Sequence, residues 1–300
     1  MKILLAVDGS EYSEEAARAL TCMDLTEQDE IMLVHVVSWV PFQYDAASYY
    51  ENLKQIKQDV APRIIDSALR LLTPVKARIS TAIIDGSPDR YIAETAAEAG
   101  MDLIVMGARG VKGMKSVLIG SVTKAVALHA SKPVLVIKPG FCGRAAGGKM
   151  RVILAVDGSE SSEQAAMMLA AMPLGNAVEI TIFNAIWSDF SDIPERFVAE
   201  INDRVKDVIA ENRTQEFKDS EQVLEKAQQF LRDRFSSISL VSRVGDPSQE
   251  IMKIAEVRDA SMIVAGCRGL RGIPGMMGSV SRNILTHAGC SVLIGRTCTG

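Results

Sequence analysis

The 300-residue sequence has few of the features that mark several common protein classes. Its 5 cysteines include no C-x-x-C pair and its 3 histidines no H-E-x-x-H, which argues against zinc and haem sites. An odd number of cysteines also gives little support to a disulfide scaffold. No run of about 18 apolar residues occurs, and Asp8 interrupts the first apolar stretch too early for a signal peptide. A net charge of −4 argues against a dedicated nucleic-acid binder, so we expect a cytoplasmic protein that engages neither nucleic acid nor a membrane.

What the sequence does contain is a long internal repeat. Residues 1–11 (MKILLAVDGSE) recur at 150–160 as MRVILAVDGSE, and GARG with GSVTKAVALHA at 107–130 recurs as GCRG with GSVSRNILTHA at 266–288. Solenoid periods reach only about 50 residues, so a repeat of this length indicates a duplicated domain. The predicted division is a first domain at 1–140, a glycine- and alanine-rich linker at 141–149, and a second domain at 150–300.

Each half alternates short apolar runs with helical patterns. In the first half the apolar runs lie at 2–7, 30–37, 75–84, 102–107 and 133–138, and the helical patterns at 13–23, 48–72, 88–100 and 121–131. The second half repeats this order, with a longer helical region at about 194–235. β-branched runs without strict alternation are typical of strands buried on both faces of a parallel sheet. The pattern predicts an α/β fold of two doubly wound, five-stranded, Rossmann-like domains.

The most informative local motif is MGARGVKGMKSVLIGSVT at 106–123, between a predicted strand and a predicted helix. Glycines let the backbone approach a ligand closely, and a helix that begins at Ser121 directs free N–H groups and a positive dipole end toward it. That environment suits a phosphate, to which the Ser121 and Thr123 hydroxyls would add hydrogen bonds. Arg109, Lys112 and Lys115 would add charge. The alternative is a plain strand-to-helix connection with an N-capping serine.

Two well-known nucleotide motifs are absent. Neither G-x-x-x-x-G-K-[ST] nor G-x-G-x-x-G occurs in the chain, which disfavours a P-loop NTPase and a dinucleotide dehydrogenase. The spacing that occurs is G-x2-G-x9-G-S, accompanied by AVDGS at a strand end. Together these motifs resemble the universal stress protein family, in its ATP-binding branch, over essentially the whole chain and twice.

The resemblance implies a fold, a ligand and a set of ligand-binding residues. It implies domains with a fold like that of the adenine nucleotide α-hydrolases. In the universal stress protein family the last strands pair across a dimer, so this tandem chain would form its own pseudo-dimer, with or without further homodimerisation. It implies ATP, or AMP or ADP, with or without magnesium, at the carboxyl ends of the first and fourth strands. Asp8 would bind the ribose, or else act only as the turn residue before a helix capped by Ser10.

The other positions follow from the same resemblance. Ala6 and Val7 would border the base, Val36 would present backbone groups to the adenine edge, and Met106 and Gly107 would form the floor. The phosphate side in the first half comprises Arg109, Gly110, Gly120, Ser121, Val122 and Thr123. The second half offers Ala155, Asp157, Ala185, Gly266, Gly269, Gly278, Ser279, Val280 and Ser281. Eight residues separate Gly269 from Gly278, against nine in the first half, so weaker binding is expected there.

The expected function is nucleotide-dependent signalling in a stress response, through an unidentified protein partner. The alternative is an enzyme, either a slow ATPase or an adenylating member of the related α-hydrolases. No base, nucleophile or metal-binding carboxylate cluster recurs beside the glycine loop, so we assign no catalytic and no metal-binding residue. A third alternative is a scaffold that has lost nucleotide binding. The intact glycine loop of the first half argues against this alternative.

Overall fold

The structure is a computed structural model of the chain. It describes residues 1–38, 47–111, 119–142, 149–175, 177–187, 203–270 and 276–296, and it leaves aside the side chains of residues 47–54 and 203–206. The predicted linker and the long predicted helical region at 194–235 therefore fall only partly within the described residues.

The two halves have the same order of elements. The first half contains β1 (Lys2–Ala6), α1 (Glu11–Thr21), β2 (Glu30–Val37), α2 (Ala47–Leu71), β3 (Arg78–Asp85), α3 (Pro88–Glu98), β4 (Leu103–Gly107), α4 (Ser121–His129) and β5 (Val134–Ile137). The second contains β6 (Met150–Ala155), α5 (Glu160–Ala171), β7 (Val178–Ile186), α6 (Asp203–Leu231), β8 (Ser237–Val244), α7 (Pro247–Val257), β9 (Met262–Gly266), α8 (Ser279–His287) and β10 (Ser291–Gly295).

All ten of these strands form one sheet, in the order β3-β2-β1-β4-β5-β10-β9-β6-β7-β8. Neighbouring strands within each half are parallel, which confirms the predicted doubly wound fold. The halves join where β5 and β10 pair antiparallel, with Val136 opposite Val292. The last strand of each half is thus covered by the other, as the pseudo-dimer requires, and β3 and β8 become the outer edges.

Helices cover both faces of this sheet. Alternate residues of each strand point to opposite faces, so Ile3 and Leu5 join one apolar cluster while Leu4 joins the other. The first cluster includes α1, α2, α5 and α6, and the second includes α3, α4, α7 and α8. Each cluster contains residues from both halves, so each core is continuous across the β5–β10 junction.

The segment after β5 contradicts one reading of the sequence. Cys142 forms a disulfide with Cys22, which follows the end of α1, although the odd cysteine count predicted little disulfide content. The neighbouring Phe141 is buried, so the predicted linker at 141–149 begins with two anchored residues. The half-cystines are separated by 120 residues and belong to no spaced motif, so no local pattern could reveal the pair.

Within the described part of the chain, none of the helices is long and apolar enough to cross a bilayer.

Candidate functional site

The candidate site in the first half lies where the strand order changes direction. From β1 the chain runs to β2 and β3 on one side and then returns to β4 and β5 on the other. The carboxyl ends of β1 and β4 are adjacent, because Ala6 is paired with Met106. In open α/β sheets, ligands bind in the crevice outside the strand ends at such a switch point. The AVDGS segment and the glycine loop both start at this crevice.

Asp8 is the acidic group at the crevice, and its half-buried carboxylate already binds the surrounding loops. Oδ1 accepts hydrogen bonds from the Ser10 hydroxyl at 2.6 Å and the Ser10 amide at 3.0 Å. Oδ2 accepts one from the Val111 amide at 3.0 Å. Ser10 also caps α1, since its hydroxyl oxygen accepts a hydrogen bond from the Ser13 amide. Asp8 therefore joins the start of α1 to the glycine loop, beyond the role of a turn residue alone.

The loop glycines face different neighbours. A Cβ on Gly107 would lie 2.5 Å from the backbone carbon and oxygen of Tyr12, so this glycine allows β4 to pack against α1. A Cβ on Gly110 would lie 2.4 Å from Oδ2 of Asp8, which is the end of a side chain. Gly107 is thus required by the fold, whereas Gly110 keeps the space next to the carboxylate open.

The start of α4 has a glycine as its N-cap. Gly120 has no side chain, so it cannot itself accept a hydrogen bond from the first turn of the helix. The alternative of an N-capping serine is therefore wrong, because Ser121 is already the first helical residue. The amides of Ser121, Val122 and Thr123 occupy the helix positions that have no intrahelical acceptor. Such an end attracts an anion through both its N–H groups and the helix dipole.

The two hydroxyl groups in this first turn are oriented differently. The Thr123 hydroxyl is buried and donates to the Gly107 carbonyl oxygen at 2.9 Å, which fixes α4 to the end of β4. Ser121 is exposed. Of the two predicted phosphate-binding hydroxyls, Ser121 is accessible, while Thr123 has only its amide to offer.

The predicted base-binding residues lie at the ends of β1, β2 and β4. Ala6, Val7, Val36 and Met106 are each less than 10 % exposed, so they offer backbone groups and an apolar wall. Val36 lies inside β2, one residue before its end.

A buried histidine near these residues was not singled out by the sequence analysis. His35 has its Nδ1 2.8 Å from the Val7 carbonyl oxygen, which can only accept, so this nitrogen carries the proton. The bond holds β2 to the residue directly before Asp8. Asn184, at the same place in the repeat, donates from Nδ2 to the Val156 carbonyl oxygen at 2.7 Å. The recurrence of an N–H donor at this position was the signal available in the sequence.

Charged residues of the loop are only partly described. The Arg109 guanidinium carbon lies 5.2 Å from the centre of the Tyr12 ring, a cation–π contact beside the crevice. Lys112 and Lys115 lie outside the described residues. Within the described residues no group of three or more His, Cys, Asp or Glu side chains is placed to hold a metal ion.

The second half repeats the arrangement. Asp157 accepts hydrogen bonds from Ser159 at Oδ1 and from the Leu270 amide at Oδ2, the latter at 3.1 Å. Gly278 caps α8 without a side-chain hydrogen bond, and the Ser281 hydroxyl donates to the Gly266 carbonyl oxygen at 2.6 Å. The remaining predicted positions hold equivalent places: Ala155 ends β6, Ala185 lies in β7, Gly269 faces Asp157, and Ser279 and Val280 start α8. Residues 271–275, within the shortened loop, lie outside the described residues.

Comparisons with known proteins agree with the duplication. The model of the universal stress protein family matches residues 1–138 and again residues 149–296. A universal stress protein of Mycolicibacterium smegmatis is 24% identical over 300 residues, covering 98% of this chain and 96% of its own length. The solved structure of a universal stress protein from Archaeoglobus fulgidus has a TM-score of 0.61 at 20% identity, covering 98% of this chain and 96% of that one. Another universal stress protein, solved in complex with cAMP, is 19% identical over 46% of this chain and 97% of its own, with a TM-score of 0.32.

Proposed function

The chain belongs to the universal stress protein family, with two copies of the family domain, and from this premise we propose that it binds ATP, or AMP or ADP, in the crevice of its first half. Binding would change its interactions with a protein partner in a cytoplasmic stress response. The single observation that carries the proposal is the start of α4, which has no capping side chain and lies beside Gly110, the neighbour of the Asp8 carboxylate. The same crevice thus contains donors for an anion and an acceptor for hydroxyl groups.

The phosphates would lie at the start of α4. The amides of Ser121, Val122 and Thr123 and the exposed Ser121 hydroxyl can all donate to phosphate oxygens. Gly120 allows close approach there, since its own amide is bonded to the Ala108 carbonyl oxygen and its Cα carries no side chain. Arg109, Lys112 and Lys115 would supply positive charge. Magnesium, where present, would be held by the phosphates, since no metal-binding residues are proposed.

The ribose would lie next to Asp8. Each carboxylate oxygen has two lone pairs, so the oxygen that accepts from Val111 can also accept from a ribose hydroxyl. The base would lie between the ends of β1, β2 and β4, against Ala6, Val7 and Met106, with the backbone of Val36 at its edge. Because these residues are buried, the base would contact mainly their backbone and the apolar wall.

The second half has the same carboxylate and the same uncapped helix start, so we propose a second, weaker nucleotide site there. The path from Gly269 to Gly278 is one residue shorter than its first-half counterpart, which removes up to about 3.5 Å of reach. Pro274 within it removes one backbone donor.

The enzyme alternative is a slow ATPase or an adenylating activity. Backbone amides that cradle phosphates bind the ground state and the transition state about equally, which does not accelerate a reaction. We therefore expect ATP turnover below the usual enzyme range of about 1–10³ s⁻¹. A higher rate that survives repurification and disappears in Asp8→Ala would favour the enzyme.

Nucleotide binding is tested by release and by titration. Freshly purified protein is denatured, and the released small molecules are identified by mass spectrometry; ATP, ADP or AMP is expected.

In calorimetric titration, Gly120→Val should weaken ATP binding at least about tenfold, or about 1.4 kcal/mol. Gly278→Val should cost less, because it affects the weaker site. Gly289→Val is the control for replacing a glycine as such. Among the described residues a Cβ at Gly289 meets no atom within 4 Å, whereas one at Gly120 would lie 3.3 Å from the Cα of Arg109.

Each outcome of this experiment has a definite consequence. Unchanged affinity in a folded Gly120→Val protein would remove α4 from the site. An equal or larger loss in Gly278→Val would contradict the proposed inequality of the halves. No released nucleotide and no titratable binding in the unmodified chain would leave the scaffold alternative.

A further inference from the structure

A basic side chain follows the last strand of each half and reaches into the other half. Lys138, directly after β5, is 6 % exposed. Its Nζ donates to the carbonyl oxygen of Leu285 at 3.4 Å and also to that of Ala288. Both carbonyls belong to the end of α8, across the β5–β10 junction. A first-half ammonium group thus caps the C-terminus of a second-half helix.

The reciprocal contact is present on the other side of the junction. Arg296, directly after β10, donates from Nη2 to the carbonyl oxygen of Ala127 in α4. In the repeat, Arg296 corresponds to Lys138 and Ala127 corresponds to Leu285. Burial lowers the pKa of Arg296 from its ordinary value, as expected for a cation withdrawn from water; Cys267 opposes this decrease and Arg268 adds to it. The same type of contact therefore occurs twice, related by the pseudo-twofold symmetry of the chain.

These contacts act on the two helices that begin at the nucleotide sites. The last carbonyls of a helix lack intrahelical donors, and a cation there stabilises both the carbonyls and the negative end of the dipole. The opposite end of α4 is the uncapped turn at Gly120, and that of α8 is the uncapped turn at Gly278. Each of these helices is only nine residues long. A shift at its C-terminus is therefore transmitted to the amides at its start.

We propose that Arg296 is a positioning residue for the nucleotide site of the first half, and Lys138 for that of the second. Each half thereby orients the phosphate-binding helix of the other, so neither site is complete without the opposite half. This inference rests on the proposed nucleotide binding. It adds a specific coupling: the cation that supports each site comes from the other domain.

The test measures ATP affinity at one site at a time in the full chain. Gly278→Val leaves the first site active, and Gly120→Val leaves the second. In the Gly278→Val protein, Arg296→Met should weaken ATP binding roughly three- to tenfold, while Lys138→Met should change it less than about twofold. In the Gly120→Val protein, the two effects should be exchanged. Arg296→Lys and Lys138→Arg retain a donor and should restore most of the affinity.

A merely structural role of Arg296 and Lys138 would not produce this exchange of effects between the Gly278→Val and Gly120→Val proteins. Equal losses from both substitutions in both backgrounds would indicate general loosening of the junction and would overturn the inference, as would unchanged affinities. If the unmodified chain binds no ATP, the proposed function itself fails.

A second measurement covers the case in which a methionine variant does not fold. Amide hydrogen exchange is followed in the Gly278→Val protein with and without saturating ATP. Binding at the first site should slow exchange in residues 294–296, which belong to the other half. Protection confined to the first half would overturn the inference.

Discussion

Two glycines in the first loop, Gly107 and Gly110, are separated by only two residues, yet the structure gives them different roles. The neighbour of Gly107 is the backbone of Tyr12 in α1, which cannot move without displacing the helix. The neighbour of Gly110 is a carboxylate oxygen of Asp8, which can rotate away. Neither glycine has a positive φ, so the effect of an added methyl group is steric at both positions.

A matched pair of alanine substitutions should separate stability from binding. Gly107→Ala should lower the free energy of unfolding by about 1–3 kcal/mol, because the methyl group overpacks the contact between β4 and α1. Gly110→Ala should cost less stability than Gly107→Ala, because it displaces one hydrogen-bonded carboxylate and not a helix backbone. It should also weaken ATP binding, because that carboxylate would bind the ribose. Urea unfolding and calorimetric titration measure the two effects. A loss of stability in Gly110→Ala as large as that in Gly107→Ala would contradict this distinction.

At the same scale, the helical period of α4 already indicated which way the Thr123 side chain points. Thr123 was predicted to direct its hydroxyl at a phosphate, but the structure buries it. Its spacing from Val126 and Ala127 places all three on one face of α4, and this face packs on the sheet. The helical period therefore already indicated an inward side chain. By contrast, the contact between Gly107 and Tyr12 depends on how closely α1 packs against β4, which no local pattern encodes.

At the level of elements, the alternation of strands and helices could be read from the sequence because the apolar runs are uninterrupted. Leu135 and Val136 of β5 are fully buried, and so are Val292 and Leu293 of β10. Such strands cannot remain at an open sheet edge. Their pairing was therefore predictable, but the antiparallel register was not, since it depends on how the helices of the two halves pack together.

Proline at position 136 tests this junction. Val136 pairs with Met106 of β4 on one side and Val292 of β10 on the other, so Val136→Pro distorts a central strand. We expect a lower melting temperature and increased association in size-exclusion chromatography, because exposed strand edges recruit other chains. Val136→Ala is the control: it removes side-chain volume, at about 2 kcal/mol, but keeps the backbone N–H. If the two variants behave alike, strand pairing at this junction contributes little beyond side-chain packing.

At the scale of the whole molecule, the duplication predicted two similar domains but not how far they share a core. Both apolar clusters run through the junction, and a basic side chain of each half bonds a helix of the other. The likeness of the halves follows from local sequence similarity. The continuity of the core and the disulfide depend on contacts between distant segments, which one sequence does not reveal.

The disulfide adds a further constraint on the whole chain. Cys22 and Cys142 enclose α2, β3, α3, β4, α4 and β5, so the bond closes nearly the entire first half into one covalent loop. Both half-cystines are exposed, so a reductant has access to them. In a reducing cytoplasm this pair would be open, and in an oxidising environment closed. The free energy of unfolding should therefore depend on whether this disulfide is oxidised or reduced.

Removing the bond should destabilise the protein by about 2–4 kcal/mol, because an unfolded chain without this loop gains conformational entropy. Urea unfolding of the oxidised protein is compared with that of the C22S/C142S double variant, each with and without dithiothreitol. Reductant should lower the unfolding free energy of the unmodified protein to that of the variant and leave the variant itself unchanged. An equal effect of reductant on the double variant would instead implicate the three remaining cysteines, Cys267, Cys290 and Cys298. The same stability in all four samples would show that the bond does not constrain the unfolded chain.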